Sequence, residues 1–548
     1  MSKNYFVTTP IYYVNDKPHI GHFYCNLLAD TFIRLQKSIG KNVRGLTGTD
    51  EHGQKIQRSA ENSSILPIEF CNNISNYFRK VNIDFDFTFA DNNFDNGKSF
   101  IRTTEGRDLK TGNITTESLS NGRHIKFVQE VWQKLFNNGW IYKSKYCGFY
   151  AIRDEAFYNE NELIDGKAPT GAEVEWREEG SYFFRLSKFQ QLLLKFYINN
   201  SDVIIPNKKA LEIISFLEGR ANGSLEDLSI SRLKRDTFYW GIPVPQDDSH
   251  IIYVWLDALF NYVSALGSDC QIYWDKKYAT VNHFIGKEII RFHAIYWPAF
   301  LIALEYKPDD IVHLENQEGY EKIKNIIYDK IFVHGWWTNQ GEKISKSLGN
   351  IIDPYTEVEW LVKTFSISNE TAIDYLKYFC LSNISFGSDA DYSRQKLTNT
   401  VNGELVNNIG NLIQRILSML NKYFVKEDFI NLDTEYLLPS DLLFYKSSIE
   451  KLNEKTNLYI EYCDFFSLLK LINDICTKCN SKIEQMAPWQ MIKENKKTET
   501  LSHILSILFI IKSFIDLLAA ILPNIGSKLK NNIDSVNPIV VCPRLITL

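Results

Sequence analysis

The stretch Tyr5-Phe6-Val7-Thr8-Thr9-Pro10-Ile11-Tyr12-Tyr13-Val14-Asn15-Asp16-Lys17-Pro18-His19-Ile20-Gly21-His22 decides the fold. Tyr5 to Thr9 reads as a strand, an amphipathic helix is predicted from about Gly21 to Ile39, and a second strand at Asn42 to Thr47. Strand, loop, helix and strand in that order build a parallel sheet. The two histidines fall at the helix start, where free N–H groups and the helix dipole attract anions. Two imidazoles add donors for phosphate oxygens, and Gly21 leaves room for a flat base. The same pair can also be read as surface or capping residues.

Outward from this unit, the aromatic and charged stretches Tyr142 to Phe157 and Ala172 to Phe184 predict a β-rich insertion. Strand and helix signals resume at Ile251 to Tyr262 and Asn282 to Leu304, as though one sheet were split and then completed. From about Asn399 to Pro523, leucine and isoleucine recur at three- and four-residue spacings, broken at Pro439 and Pro488, which predicts a helical bundle. Gly106 to Gly122 and Leu314 to Asn325 lack strand or turn patterning and read as polar surface insertions.

Length and composition bound these readings. At 548 residues the chain has room for roughly three to four domains. Its 44% hydrophobic and 23% charged residues exclude a disordered chain. Against 66 acidic residues stand 61 Lys and Arg, a net charge of −5 that by itself lowers the expectation of a nucleic-acid partner. Nine irregularly spaced cysteines point to reduced thiols in a cytoplasmic setting, and the N-terminus lacks the pattern of a secretory signal. Ile504 to Leu522 is apolar, but Lys512 and Asp516 fall four apart on one helical face. A buried amphipathic helix is expected there rather than a membrane span.

A second motif lies far downstream, Lys343-Ile344-Ser345-Lys346-Ser347-Leu348-Gly349-Asn350. Two lysines flanking a serine make a cationic loop able to close over a triphosphate. Alone, the segment reads better as a solvated basic loop. Together, histidines at the first helix and a lysine-serine loop past the α/β region form a two-part nucleotide signature.

These motifs resemble the signatures of the class I aminoacyl-tRNA synthetases, and within that class the sequence is similar to the methionyl-tRNA synthetase family. The resemblance spans nearly the whole chain, through Thr8 to Asn15, Thr47-Gly48-Thr49-Asp50-Glu51-His52-Gly53, Trp240 to Pro245, Val254 to Leu259, Phe292 to Ala299 and Ala487-Pro488-Trp489. It implies an α/β fold: a split Rossmann-like parallel-sheet catalytic domain with a β-rich connective insertion, followed by an all-α helical bundle. The expected segments are 1–141 and 226–338 for the two catalytic halves and 142–225 for the insertion. The lysine-serine loop and linking module take 339–395, the anticodon-binding bundle 396–525, and a tail 526–548.

By resemblance the chain activates L-methionine with ATP and Mg²⁺, forming methionyl-adenylate and pyrophosphate. It then passes methionine to the terminal adenosine of initiator or elongator tRNA. The implied catalytic groups are His19, His22, Lys343 and Lys346. Gly21, Gly286, Glu288, Trp337, Ser345 and Lys346 would bind ATP. Ile11, Tyr13, Asp50, Trp255, Ala258, Leu259, Tyr262, Ile289, His293, Tyr296 and Trp297 would bind methionine, with Asp50 on the ammonium group. An aromatic, weakly polar pocket suits a thioether. Asn411, Arg415 and Trp489 would read the anticodon, although without the resemblance they read as solvated helix residues and a core tryptophan.

Cys147 is the lone cysteine of the connective insertion, and Cys476 and Cys479 stand without a second pair nearby, so no structural zinc is expected. The chain stops soon after the bundle, which favours a monomer. A synthetase for leucine, isoleucine, valine or cysteine is the first rival. It is disfavoured by the short insertion and by the missing ligand set for a thiol-selecting metal. A nucleotidyltransferase that does not act on tRNA would lack the bundle, and a non-catalytic tRNA-binding paralogue has no need of both motifs.

Overall fold

Residues 3–90, 99–154, 156–158, 160–219, 224–235, 238–339, 341–343, 350–429 and 431–546 are described in a computed structural model. They form two compact units, Met1–Pro18 with Lys41–Val333, and His19–Gly40 with His334–Leu548.

The first unit is built on six strands: β1 (Asn4–Tyr13), β2 (Val43–Asp50), β3 (Phe100–Arg102), β4 (Ile204–Ile205), β5 (Ala279–Gly286) and β6 (Lys330–His334). Their order is β3-β2-β1-β5-β6-β4, and β1 runs parallel to both its neighbours. In register, Thr8 faces His283 and Tyr13 faces Asp50. β1 continues past Thr9 although Pro10 cannot donate to the ladder, because the register shifts between Thr8 and Ile11 and absorbs it. The predicted insertion is antiparallel, with Ile141–Ala151 paired to Glu175–Phe184 from Ile141 opposite Phe184 to Tyr150 opposite Glu175.

The second unit holds the histidine helix, Ile20–Ser38, and the bundle. Pro439, Pro488 and Pro523 each lie in the first turn of a helix, where a missing N–H costs nothing, so these prolines open helices rather than break them. The histidine helix packs against Lys497–Ile521. That helix is long and apolar enough to cross a membrane by length and composition, and 61% of its apolar window is buried. Asp374, itself buried, accepts from the backbone N–H groups of Asn524 (3.0 Å) and Ile525 (2.7 Å) and so caps Pro523–Ser535. The helical region thus runs on past residue 525 to Ser535.

Both polar insertions differ from the sequence expectation. Leu314 to Asn325 contains a helix, Gln317–Lys324, capped by Asn316, whose Tyr320 and Ile323 enter the main core. Polar residues at the other helical positions masked that apolar pair. In Gly106 to Gly122, Arg107 reaches inward: its guanidinium lies 4.2 Å over Trp240 and donates to the carbonyl of Gly241 at 2.6 Å. A long cationic side chain hid a buried anchor.

Cys25, Cys71, Cys270, Cys380, Cys463, Cys476, Cys479 and Cys542 are free thiols, and all of these but Cys270 are buried. Cys476 and Cys479 belong to the core of the bundle, and burial raises both thiol pKa values.

At the end of β2, buried Glu51 accepts a bidentate bond from Arg102 (2.7 and 2.8 Å), with Thr49 and Thr104 on the same carboxylate. Arg102→Met should lower stability by about 3–5 kcal/mol by leaving that carboxylate buried without its cation. Adding Glu51→Gln should restore part of the thermal midpoint. Melting of the single variant at the parent temperature would refute this account.

Candidate functional site

His19 and His22 realise the capping alternative, and the geometry assigns their protons. His19 is the N-cap, and its Nδ1 accepts from the N–H of Gly21 at 3.0 Å. The Nδ1 of His22 accepts from the N–H of His19 at 3.1 Å. With Nδ1 an acceptor, each neutral ring carries its hydrogen on Nε2. Burial, His19 and His334 together hold the pKa of His22 well below the ordinary value. Gly21 is required by this fold-back, since a Cβ there would meet His19 Cε1 at 2.8 Å.

The same unit carries the flanks of the lysine-serine loop. The N–H of Ile20, first residue of the histidine helix, donates to the carbonyl of Ile352 at 2.9 Å. Trp337–Asn339 pairs antiparallel with Glu342–Lys343 and parallel with Ala390–Tyr392. Trp337 is buried, edge-on to Tyr24 at 5.7 Å, and among the described residues its Nε1 has no hydrogen-bond partner. The Lys343 side chain, Ser345 and Lys346 lie outside the described residues.

In the first unit the expected pocket residues gather on the β1 and β2 ends, the short helix Val254–Leu259 and the π-helical turn Phe292–Tyr296. His293 Nδ1 donates to the carbonyl of Ile289 at 3.0 Å, so its Nε2 accepts from the Tyr262 hydroxyl at 2.7 Å. Burial lowers His293 to about 4, which keeps the ring neutral near pH 7. Trp255 stacks on Phe292 at 3.6 Å and stands edge-on to His293 at 6.4 Å. Ile11, Tyr13, Trp255, Ile289 and Tyr296 are partly exposed, whereas Ala258, Leu259, Tyr262 and Trp297 are buried behind them. Trp297 donates to His283 at 3.2 Å and belongs to the core. Asp50 is 9% exposed at the end of β2. Gly286 ends β5, where a Cβ would collide with the Glu288 carboxylate at 2.5 Å.

Sequence reasoning missed a buried charge network next to this pocket. Asp257, on the helix that carries Trp255, bonds His52 Nδ1 through one oxygen and His124 Nε2 through the other, each at 2.7 Å. Arg107 donates to His52 Nε2 at 3.0 Å, which fixes the hydrogen of His52 on Nδ1. Against the opposing effect of burial, His52 and His124 hold the Asp257 carboxyl below the usual carboxylate range. The signal available in sequence was His52 and Asp257 within the quoted strings; their juxtaposition was not.

In the bundle, Arg415 lies 3.3 Å from Asn480 Oδ1 and 3.8 Å from Glu484. Asn411, one turn earlier, is exposed, and Trp489 is 41% exposed at the start of Pro488–Lys493. Among the described residues no group of three or more His, Cys, Asp or Glu could hold a metal ion.

A family model for tRNA synthetases class I (M) matches residues 5–175 and 162–417. A methionine–tRNA ligase of Rickettsia typhi is 41% identical over 516 residues, covering 93% of this chain and 89% of the relative. One from Campylobacter jejuni is 37% identical over 499 residues, covering 90% and 68%. Among solved structures, Mycobacterium tuberculosis methionyl-tRNA synthetase in complex with methionyl-adenylate aligns with a TM-score of 0.79 at 30% identity, covering 100% of this chain and 98% of the other. The apo form of that enzyme aligns at 0.73 and 28%, covering 100% and 97%.

The neutral His293 makes stability depend on pH. An unfolded imidazole protonates near 6.5, whereas the buried ring resists to about 4. Between those values the unfolded state binds more protons, so stability falls as pH drops from 6.5 and is independent of this group above it. His293→Gln should flatten that limb of a thermal-midpoint profile; an unchanged slope would show that His293 does not contribute.

Proposed function

The chain belongs to the class I tRNA synthetases (M), and from that premise we propose how its residues ligate methionine to tRNA. Its activity is that of a methionine–tRNA ligase, an aminoacyl-tRNA ligase that uses ATP. The methionine carboxylate is ionised at pH 7 and attacks the α-phosphorus of MgATP, so that a carboxylate–phosphorus bond forms and pyrophosphate leaves. No enzymic nucleophile is assigned. Rate comes from alignment and from stabilising charge on the phosphates. The observation that carries this reading is the bond from Ile20 N–H to Ile352 C=O, which ties the histidine helix to the flank of the lysine-serine loop.

In this reading His19 and His22 present their Nε2–H groups to phosphate oxygens, and Lys343 and Lys346 follow charge onto pyrophosphate. Gly21, Gly286, Glu288, Ser345 and Trp337 serve the adenosine. Asp50 pairs with the methionine ammonium group. Ile11, Tyr13, Trp255, Ala258, Leu259, Ile289, Tyr296 and Trp297 enclose its side chain. The neutral Tyr262–His293 pair suits an uncharged thioether, where an imidazolium would favour an acidic side chain.

The methionyl group then passes to a hydroxyl of the tRNA terminal adenosine, releasing AMP. Asn411 and Arg415 read unstacked anticodon bases by their edges, and exposed Trp489 offers a stacking platform. The boundaries 141, 225, 338 and 395 divide these tasks, and the bundle extends beyond 525 to Ser535. The protein works in the cytoplasm as a monomer and without a membrane; the buried Lys497–Ile521 helix supports the last of these. The connective insertion needs no zinc; stoichiometric zinc in purified protein would contradict this.

Lys346→Ala should slow ATP–pyrophosphate exchange by about a hundredfold or more while leaving methionine binding nearly intact. An unchanged exchange rate would remove Lys346 from the mechanism. Asp50→Ala should instead raise the methionine concentration needed for half-maximal exchange, and a normal rate at low methionine would sink the ammonium assignment.

A further inference from the structure

Past the helix Pro523–Ser535, Val536 takes a left-handed conformation (φ 56°) and turns the chain back along the bundle. The segment 536–546 is held as a strap. Asn532 donates to the carbonyl of Ile539 at 3.1 Å and Tyr375 to that of Pro543 at 2.6 Å. Asn402 both donates to the Leu545 carbonyl and accepts its N–H, each at 2.8 Å. Cys542 is buried against Gly410, where a Cβ would meet its Cβ at 3.1 Å.

Between strap and bundle lies a cavity of about 310 Å³ lined by Asn407, Asn411, Gln414, Asn532 and Arg544, among others. Asn402 and Asn408 are committed to the strap and to the Asn473 and Thr477 side. Among the described residues the side chains of Asn407, Asn411 and Gln414 make no hydrogen bond, and they face this space. Arg544 is exposed between two anchored neighbours, Pro543 and Leu545, and no described carboxylate pairs with it.

We propose that the strap is the second wall of the anticodon subsite: an unstacked RNA base enters the cavity beside Asn411, and Arg544 binds the phosphate that follows it. The proposal rests on the anticodon reading of Asn411 given above. The cavity has room for a nucleobase, its lining supplies amide donors and acceptors for a base edge, and a guanidinium among its lining residues suits a phosphate. In a protein of net charge −5, a polyanion must be held by such locally placed cations.

Full-length Arg544→Ala, Arg544→Lys and Asn411→Ala are compared in aminoacylation and in ATP–pyrophosphate exchange without tRNA. Arg544→Ala should raise the KM for tRNA roughly five- to tenfold and reduce the slope of log affinity against log salt by about one. Exchange should be unchanged, and Arg544→Lys should recover most of the loss. Impairment of Asn411→Ala with an unaffected Arg544→Ala overturns the strap proposal alone. If neither variant is impaired, the anticodon reading fails and the strap proposal with it. A fall in tRNA-independent exchange in Arg544→Ala assigns the residue to folding and also overturns the proposal.

Discussion

A carboxylate with no access to water must be satisfied on both oxygens, and Asp257 meets that demand with two imidazoles at 2.7 Å. The first unit is organised around this constraint. The short helix Val254–Leu259 has too few turns to fix its own orientation, yet it carries Trp255, Ala258 and Leu259. Tethering it through Asp257 to His52 after β2 and to His124 sets where those side chains point. Arg107 supplies the compensating cation through His52; burial lowers its pKa to about 10, which leaves it charged near neutrality. A segment that reads as surface decoration thereby becomes part of the pocket's foundation.

The histidine pair shows that two readings of one motif need not compete. Using Nδ1 to cap the helix costs the rings nothing as donors, because it directs the remaining hydrogen to Nε2. Capping fixes the rings, and a fixed ring is a better phosphate donor than a mobile one.

Periodicity made the backbone plan legible. The first strands, the histidine helix and the helical bundle follow from apolar spacing, and the β-rich insertion from its aromatic and charged stretches. What stayed hidden depends on contacts between residues distant in sequence. Asp257, His52, His124 and Arg107 come from four separate segments, and no local pattern relates them. Tyr320 and Ile323 were two apolar residues among polar neighbours, too few to announce a helix. The π-helical turns at Phe292–Tyr296 and Val401–Gly410 escape a reading built on 3.6 residues per turn. At the first of them the carbonyls of His293 and Ala294 are taken by the hydroxyls of Tyr328 and Tyr197. The widened turn is stabilised by side chains from elsewhere. The candidate site was legible as a set of motifs, while its protonation states were not.

The buried cysteines have a chemical consequence. The thiolate is the species that attacks electrophiles and peroxides, and burial raises the pKa of Cys71, Cys380, Cys463, Cys476, Cys479 and Cys542. Cys270 is only partly buried, and its pKa is raised as well. These seven thiols are held in their protonated form, so maleimides and hydrogen peroxide meet little thiolate at any of them.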